Sequence, residues 1–501
     1  MQHAAMTIDP AFRIAVVDPR LYGSFVEHMG RCVYTGIYEP GHETASPDGF
    51  RRDVSALVRK LGVPVLRYPG GNFVSGYTWE DGIGPRDHRP TRLDLAWRSY
   101  ETNQVGVDEF CKWARRVGSE PMMAVNLGTR GIDAARNLVE YANHPGGTHW
   151  SELRRRNGFE DPHGIKLWCL GNEMDGPWQI GHKTADEYAR LAAETAKAMR
   201  RVDPSIELVA CGSSHQRMPT FGDWEATVLR ETYDLVDYVS LHSYYEQHGD
   251  DRGSFLASGV NMDRFIESVI ATCDHVRGVG QHKKRVNLSF DEWNVWYQAR
   301  FPGEDNLDWG TRPRLIEDQY SVVDAVVVGS LLISLLRHAD RVRIACLAQL
   351  VNVIAPIRSE PGGPAWRQTT FHPFSLTSRH GRGTVLRVEP TGPSYETSRM
   401  GEVPVVSATA VHDEEAGTVT LFAVNRAQTE PLTLAVDVRS LPNLVVGNHT
   451  ALFDEDPEAT NTMDSPDRVT PTRLADVKAV DGTVTAVLPA LSWNMIRLRT
   501  T

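Results

Sequence analysis

Between about residue 20 and residue 380 the chain alternates short β-rich runs with amphipathic stretches, and it does so eight times. The runs are LYGSFVEH (21–28), VPVLRYPG (63–70), MMAVNLG (122–128), KLWCLGNE (166–173), IELVACGSS (206–214), DYVSLHSYY (237–245), RVNLSFDE (285–292) and VRIACLAQL (342–350). Stretches such as FRRDVSALVRKLG, VDEFCKWARRVG and IDAARNLVEYAN lie between them, with apolar residues at the i, i+3, i+4 recurrence of a packed helix face. In TADEYARLAAETAKAMRRV, Thr184 stands three places before Glu187, the pattern of a capping box. Alternation of this kind specifies an α/β protein with a parallel sheet, and eight repeats is the number that closes a (β/α)8 TIM barrel, expected here over residues 15–380.

Past residue 380 the helical period gives way to short runs such as GTVTLFAVNRA, LTLAVDV and GTVTAVLPALSWNMIRLR, separated by Gly, Pro, Asn and Asp. Strands at this spacing predict a C-terminal all-β sandwich, jelly-roll-like, over 381–501, with the opening segment 1–14 adding a strand to it. Two domains suit 501 residues, more than one core usually fills, and 41% hydrophobic with 23% charged residues is an ordinary globular composition.

The bulk properties also exclude partners. A net charge of −11 without a Lys/Arg stripe argues against nucleic acid and against acidic polymers. Six scattered cysteines, with no CxxC pair and no His cluster at zinc spacing, read as reduced, buried thiols, and no metal site is expected. The most apolar stretch, 325–336, is bounded by Asp324 and Arg337 and falls short of the ~20 residues of a membrane span, so it is read as a buried helix and no membrane partner is expected. MQHAAMTIDPAFRIAVV lacks the charged and apolar regions of a secretory signal, which predicts a cytoplasmic protein.

Candidate chemistry gathers at the ends of the runs. Glu173 closes the fourth and Glu292 the seventh, which brings two carboxylates to the mouth of the barrel, where ligands bind. Two convergent carboxylates are the minimum for cleaving a glycosidic bond; the alternative is a pair of capping or salt-bridged acids. Asn172 beside Glu173 offers an amide to a sugar hydroxyl, and Trp293, Val295 and Trp296 follow Glu292 as an apolar wall. Other run ends carry Glu27 and His28; Arg67 with Gly70, Gly71 and Asn72; His242 and Tyr244; and Gln349 with Asn352. Arg67 reads equally as a sugar contact and as a buried ion pair. Trp79, Trp97, Trp178 and Trp296 are placed in rim loops, where each either stacks on sugar or packs. His215, His182 and Cys32 lie near the rim without an assigned role.

Six segments, GSFVEHMGRCVYTGIYEP, LRYPGGNFVSGYTWEDGIGP, WCLGNEMDGPWQIGHKTADEYA, DYVSLHSYY, LSFDEWNVWY and ACLAQLVNVIAPI, together resemble the α-L-arabinofuranosidases of glycoside hydrolase family 51. The resemblance implies Glu173 as general acid/base and Glu292 as nucleophile. It further implies Glu27, Arg67, Asn72, Asn172, Tyr244 and Gln349 around the furanose, with His242, Trp97, Trp178 and Trp296 as candidate rim contacts. The implied reaction is exo-acting release of terminal α-L-arabinofuranosyl residues from arabino-oligosaccharides, arabinan or arabinoxylan fragments. The resemblance also implies retention, which predicts carboxyls ~5–5.5 Å apart rather than the ~6.5–9.5 Å of inversion. No cofactor is implied, and a homo-oligomer, a hexamer, is. The alternatives are a related barrel cleaving xylosidic or glucosidic bonds, a sugar-binding protein without turnover, and a scaffold role through oligomerisation.

Overall fold

In the computed structural model, which describes residues 2–441 and 444–500, each apolar run contributes one strand to a closed, all-parallel barrel. The strands are β1 (Gly23–Phe25), β2 (Val65–Tyr68), β3 (Glu120–Val125), β4 (Leu167–Leu170), β5 (Glu207–Ala210), β6 (Tyr238–Tyr245), β7 (Asn287–Val295) and β8 (Val342–Leu347). They stand in chain order around the barrel, and β8 returns to pair with β1 through Cys346 and Gly23. β2 and β4 are buried at every position, because a parallel barrel is covered by side chains within and helices without.

The helices form where their faces are apolar and their ends capped. Helix Ala185–Val202 begins at Thr184, whose hydroxyl accepts from the Glu187 amide while the Glu187 carboxylate accepts from the Thr184 amide at 2.9 Å. The apolar stretch near residue 330 is helix Val322–Arg337, buried along its length up to Leu336. Among the described residues no helix is long and apolar enough to cross a membrane. All six cysteines are buried and free.

The C-terminal domain packs a seven-stranded sheet on a four-stranded one, with Met6, Leu421, Leu434 and Ile496 in the core between them. The opening segment gives a strand to each sheet. Gln2–Thr7 runs parallel to Leu432–Asp437, and Arg13–Val16 lies antiparallel to Thr384–Leu386. Helix Val322–Arg337 touches β7 on one side and the sandwich strands Val406–Asp413, Thr418–Asn425 and Ser492–Thr500 on the other. A hairpin, Ser394–Thr397 with Gly401–Pro404, projects from the sandwich onto the barrel. It is pinned there by Tyr395 Oη donating to the Gly253 carbonyl at 3.0 Å and Arg264 Nη2 to the Met400 carbonyl at 3.2 Å.

The seam between the domains is tightest at Gly329, where a Cβ would stand 2.1 Å from Cδ1 of the fully buried Trp493. An indole enclosed on all sides cannot step aside. Gly329→Ala is therefore expected to lower stability by ~1–3 kcal/mol, read as an earlier urea midpoint; an unchanged midpoint would show that the seam has slack.

Candidate active site

At the C-terminal end of the barrel a cleft of about 650 Å³ opens, and the candidate residues converge on it from six of the eight strands. Glu27 follows β1, Arg67 lies in β2 with Gly71 and Asn72 just beyond, Asn172 and Glu173 follow β4, and Gln349 follows β8. His242 and Tyr244 sit in β6, and Glu292 sits within β7, which runs on to Val295 rather than ending at the glutamate. Glu173 has φ +44°, a left-handed conformation that a residue with a Cβ rarely holds without tertiary support.

Glu292 is fixed from two sides. Arg67 Nη1 donates to its Oε1 at 2.7 Å and Tyr244 Oη to its Oε2 at 2.8 Å. Arg67 Nη2 donates to Asn172 Oδ1 at 2.6 Å, and the guanidinium lies 4.7 Å over the Phe25 ring. Glu173 accepts from Trp178 Nε1 at 2.7 Å through Oε2, while its Oε1 is 2.9 Å from His242 Nδ1. One oxygen of Glu173, one of Glu292 and a His242 nitrogen all lie within 4.8 Å of one another.

A second cluster surrounds Glu27. Its Oε1 accepts from Trp97 Nε1 at 2.8 Å and from the Phe73 amide at 3.0 Å, and its Oε2 from Gln349 Nε2 at 3.2 Å. Gly71 is required beside it, since a Cβ there would stand 2.4 Å from Glu27 Oε2. Burial, with the charge of Glu292 adding to it against these hydrogen bonds, pushes the Glu27 carboxyl up to about 8. At neutral pH Glu27 is mostly a neutral acid that can both donate to and accept from a hydroxyl.

His242 shows the opposite balance. Burial opposes its charge, but Glu292, Asp291 and Glu173 outweigh burial and push its pKa up to about 10. With both ring nitrogens protonated, Nδ1 donates to Glu173 and Nε2 to Asp291 Oδ1 at 3.0 Å. The imidazolium thus sits between carboxylates that would otherwise repel.

The structure places several groups differently from a simple reading of strand ends. His242, a candidate rim contact, is buried beneath the rim at 2% exposure. Arg67 and Asn172 are likewise buried behind the cleft wall, bonded to each other, while Asn72, Tyr244, Gln349, Trp97, Trp178 and Trp296 line the cleft. Trp79 packs against Tyr141 and Trp150 and does not line the cleft. Asn352 donates to the Arg31 carbonyl and Ser359 Oγ, and His28 bonds Glu101 and Tyr68, so both are held by protein groups. Asp291 was not singled out from the sequence, because strict alternation would turn it away from its neighbour Glu292. Register shifts on both sides of β7, at Ser240/His242 and at Phe290/Trp293, let the two acids share His242. His215 also enters the cleft, stacked on Trp178 at 6.0 Å.

Two family descriptions match the chain: Alpha-L-arabinofuranosidase 1 domain over residues 57–263 and Alpha-L-arabinofuranosidase C-terminal domain over residues 291–492. The chain is 61% identical over 500 residues to an intracellular exo-α-(1→5)-L-arabinofuranosidase of Streptomyces lividans, covering 99% of this chain and 75% of that protein. It is 57% identical over 495 residues to a protein of the same name from Halalkalibacterium halodurans, covering 99% of each. A solved structure of a family 51 α-L-arabinofuranosidase from Bifidobacterium longum is similar with a TM-score of 0.96 at 49% identity, and both chains are covered in full.

The charge on His242 sets a pH dependence. Its folded pKa lies above the ~6.5 of a free imidazole, so its ion pairs stabilise in full below pH ~6.5. That contribution is lost as the pH rises through about 10. The stability gap between the protein and His242→Gln, from urea unfolding, is expected to narrow from pH 6.5 to pH 10. A gap constant across that range would mean the ring is neutral.

Proposed function

The chain belongs to the α-L-arabinofuranosidases of glycoside hydrolase family 51, and from that membership we propose a role for each group in its cleft. The enzyme is a retaining, exo-acting glycoside hydrolase that removes terminal non-reducing α-L-arabinofuranosyl residues. A carboxylate oxygen of Glu292 attacks the anomeric carbon, the bond from that carbon to the leaving oxygen breaks, and Glu173 gives its proton to the leaving oxygen. Glu173 then takes a proton from water, the water oxygen attacks the same carbon, and the ester to Glu292 breaks.

The observation that carries this reading is the approach of Glu173 and Glu292, with one oxygen of each within 4.8 Å of the other in one cleft, which supports the closely spaced carboxyl pair of a retaining enzyme. Arg67 and Tyr244 hold Glu292 in place through one bond to each of its oxygens, and His242 stabilises the charge that appears on Glu173 when its proton leaves. Glu27, Asn72 and Gln349 hold the furanose hydroxyls, and Trp97 fixes Glu27. The substrate is an arabino-oligosaccharide, with α-(1→5) linkages favoured by the names of the two relatives, which also favour an intracellular site of action. A homo-oligomer belongs to the same proposal. An exposed apolar cluster supports it, in which Leu93 pairs across a hairpin with Tyr100 and Tyr100 lies 6.0 Å from Trp309.

On an aryl α-L-arabinofuranoside, Glu292→Ala is expected to lose glycosylation altogether. Glu173→Ala should lose roughly 10²–10⁴-fold on substrates with poor leaving groups, much less on activated aryl substrates, and respond to azide. Proton NMR of the first-formed sugar should show α-L-arabinofuranose; equal, mild losses in both variants, or a β product, would overturn the assignment. Because the two carboxylates supply both proton and nucleophile, a chelator should leave the rate unchanged, and a chelator-sensitive rate would refute that part.

A further inference from the structure

The cleft is larger than one furanose. An arabinofuranosyl unit has nine non-hydrogen atoms, which even at the ~30 Å³ that liquid water allots each molecule need no more than about 270 Å³. The cleft holds about 650 Å³, and its lining divides by strand. Glu27, Asn72 and Gln349 stand over β1, β2 and β8, whereas Glu173 stands over β4, across the barrel from β8. The acid must lie within hydrogen-bond reach of the leaving oxygen, so the side over β4 to β6 faces the leaving group.

That side is built as a carbohydrate surface. Trp178, still 39% exposed, presents a broad ring backed by His215 in a near-parallel stack at 16°. Beyond it Gln216 donates to Asn261, a polar, uncharged pair on the cleft wall. The far wall is shared by the two domains, with Asp251, Ser254 and Phe255 supplied by the barrel. Arg399 and Met400, at the tip of the sandwich hairpin, line the cleft, and the hairpin is held there by Ser398 bonding Asp251 and by the Tyr395 and Arg264 contacts.

We infer that the half of the cleft over β4 to β6, closed by Arg399 and Met400, binds the leaving group as a neutral oligosaccharide of at least two further sugar units. This rests on the glycosidase reading above and goes beyond it, by making the sandwich domain part of substrate selection. Stacking on Trp178 takes the first unit, and the amides and the guanidinium take the hydroxyls of the next.

The test compares kcat/KM for α-(1→5)-linked arabinobiose, arabinotriose and an aryl α-L-arabinofuranoside, in the parent protein and in Arg399→Ala and Met400→Ala separately. The parent is expected to favour the triose over the biose by about fivefold or more, and each variant to lower the ratio of triose to aryl glycoside about threefold or more. A parent indifferent to chain length, or variants that leave the ratio unchanged, would overturn the inference. Failure of the parent to turn over the aryl glycoside would instead sink the glycosidase reading itself.

Discussion

Three carboxylates, Glu173, Asp291 and Glu292, meet two cations, Arg67 and His242, in the mouth of the barrel, with all but Glu173 fully buried. Acids this close cannot all ionise without cations among them. Arg67 answers Glu292 and Asp291 from β2, and His242 answers Glu173 and Asp291 from β6. The cluster therefore ties β2, β4, β6 and β7 together through charge as well as through the sheet. It also gives the two carboxylates that face the cleft different partners. Glu292 is bonded by Arg67 and Tyr244, and Glu173 by His242 and the Trp178 indole.

Glu27 is the exception that completes the balance. Among the described residues no cation forms an ion pair with it, and it stays mostly neutral at pH 7 because burial makes ionisation costly. A negative charge there would stand against that of Glu292. A neutral carboxyl offers a sugar both a donor and an acceptor instead.

The barrel was legible because a parallel strand buried on both faces has to be written as a nearly unbroken apolar run, and a packed helix as a 3.6-residue stripe. Eight such pairs leave little freedom, and Glu173 and Glu292 fall at the barrel mouth for the same reason. Depth was not legible. His242 and Tyr244 lie two residues apart on one face of β6, and the one nearer the C-terminal end of the strand reaches the cleft wall while the other stays beneath it. Trp79 and Trp178 look alike as loop tryptophans; one is caught by Tyr141 and Trp150, and the other reaches the cleft, bonded to Glu173 and stacked on His215. Arg399 and Met400 carry no local sign of their position, because what brings them to the cleft is the packing of one domain on another. Asp291 was concealed by the alternation rule, which a bulge suspends.

The two strands contributed by residues 2–16 have a consequence for how the chain is made. The first strand pairs with Leu432–Asp437 and the second with Thr384–Leu386, so both wait for partners that the ribosome delivers only after the whole barrel has emerged. The barrel is threaded between the first and last pieces of the sandwich and can be completed while the leading strands are still unpaired. The sandwich is then the closing stitch, and a chain that stalls before residue 437 leaves an open β edge in the cell, of the kind that seeks strands from its neighbours.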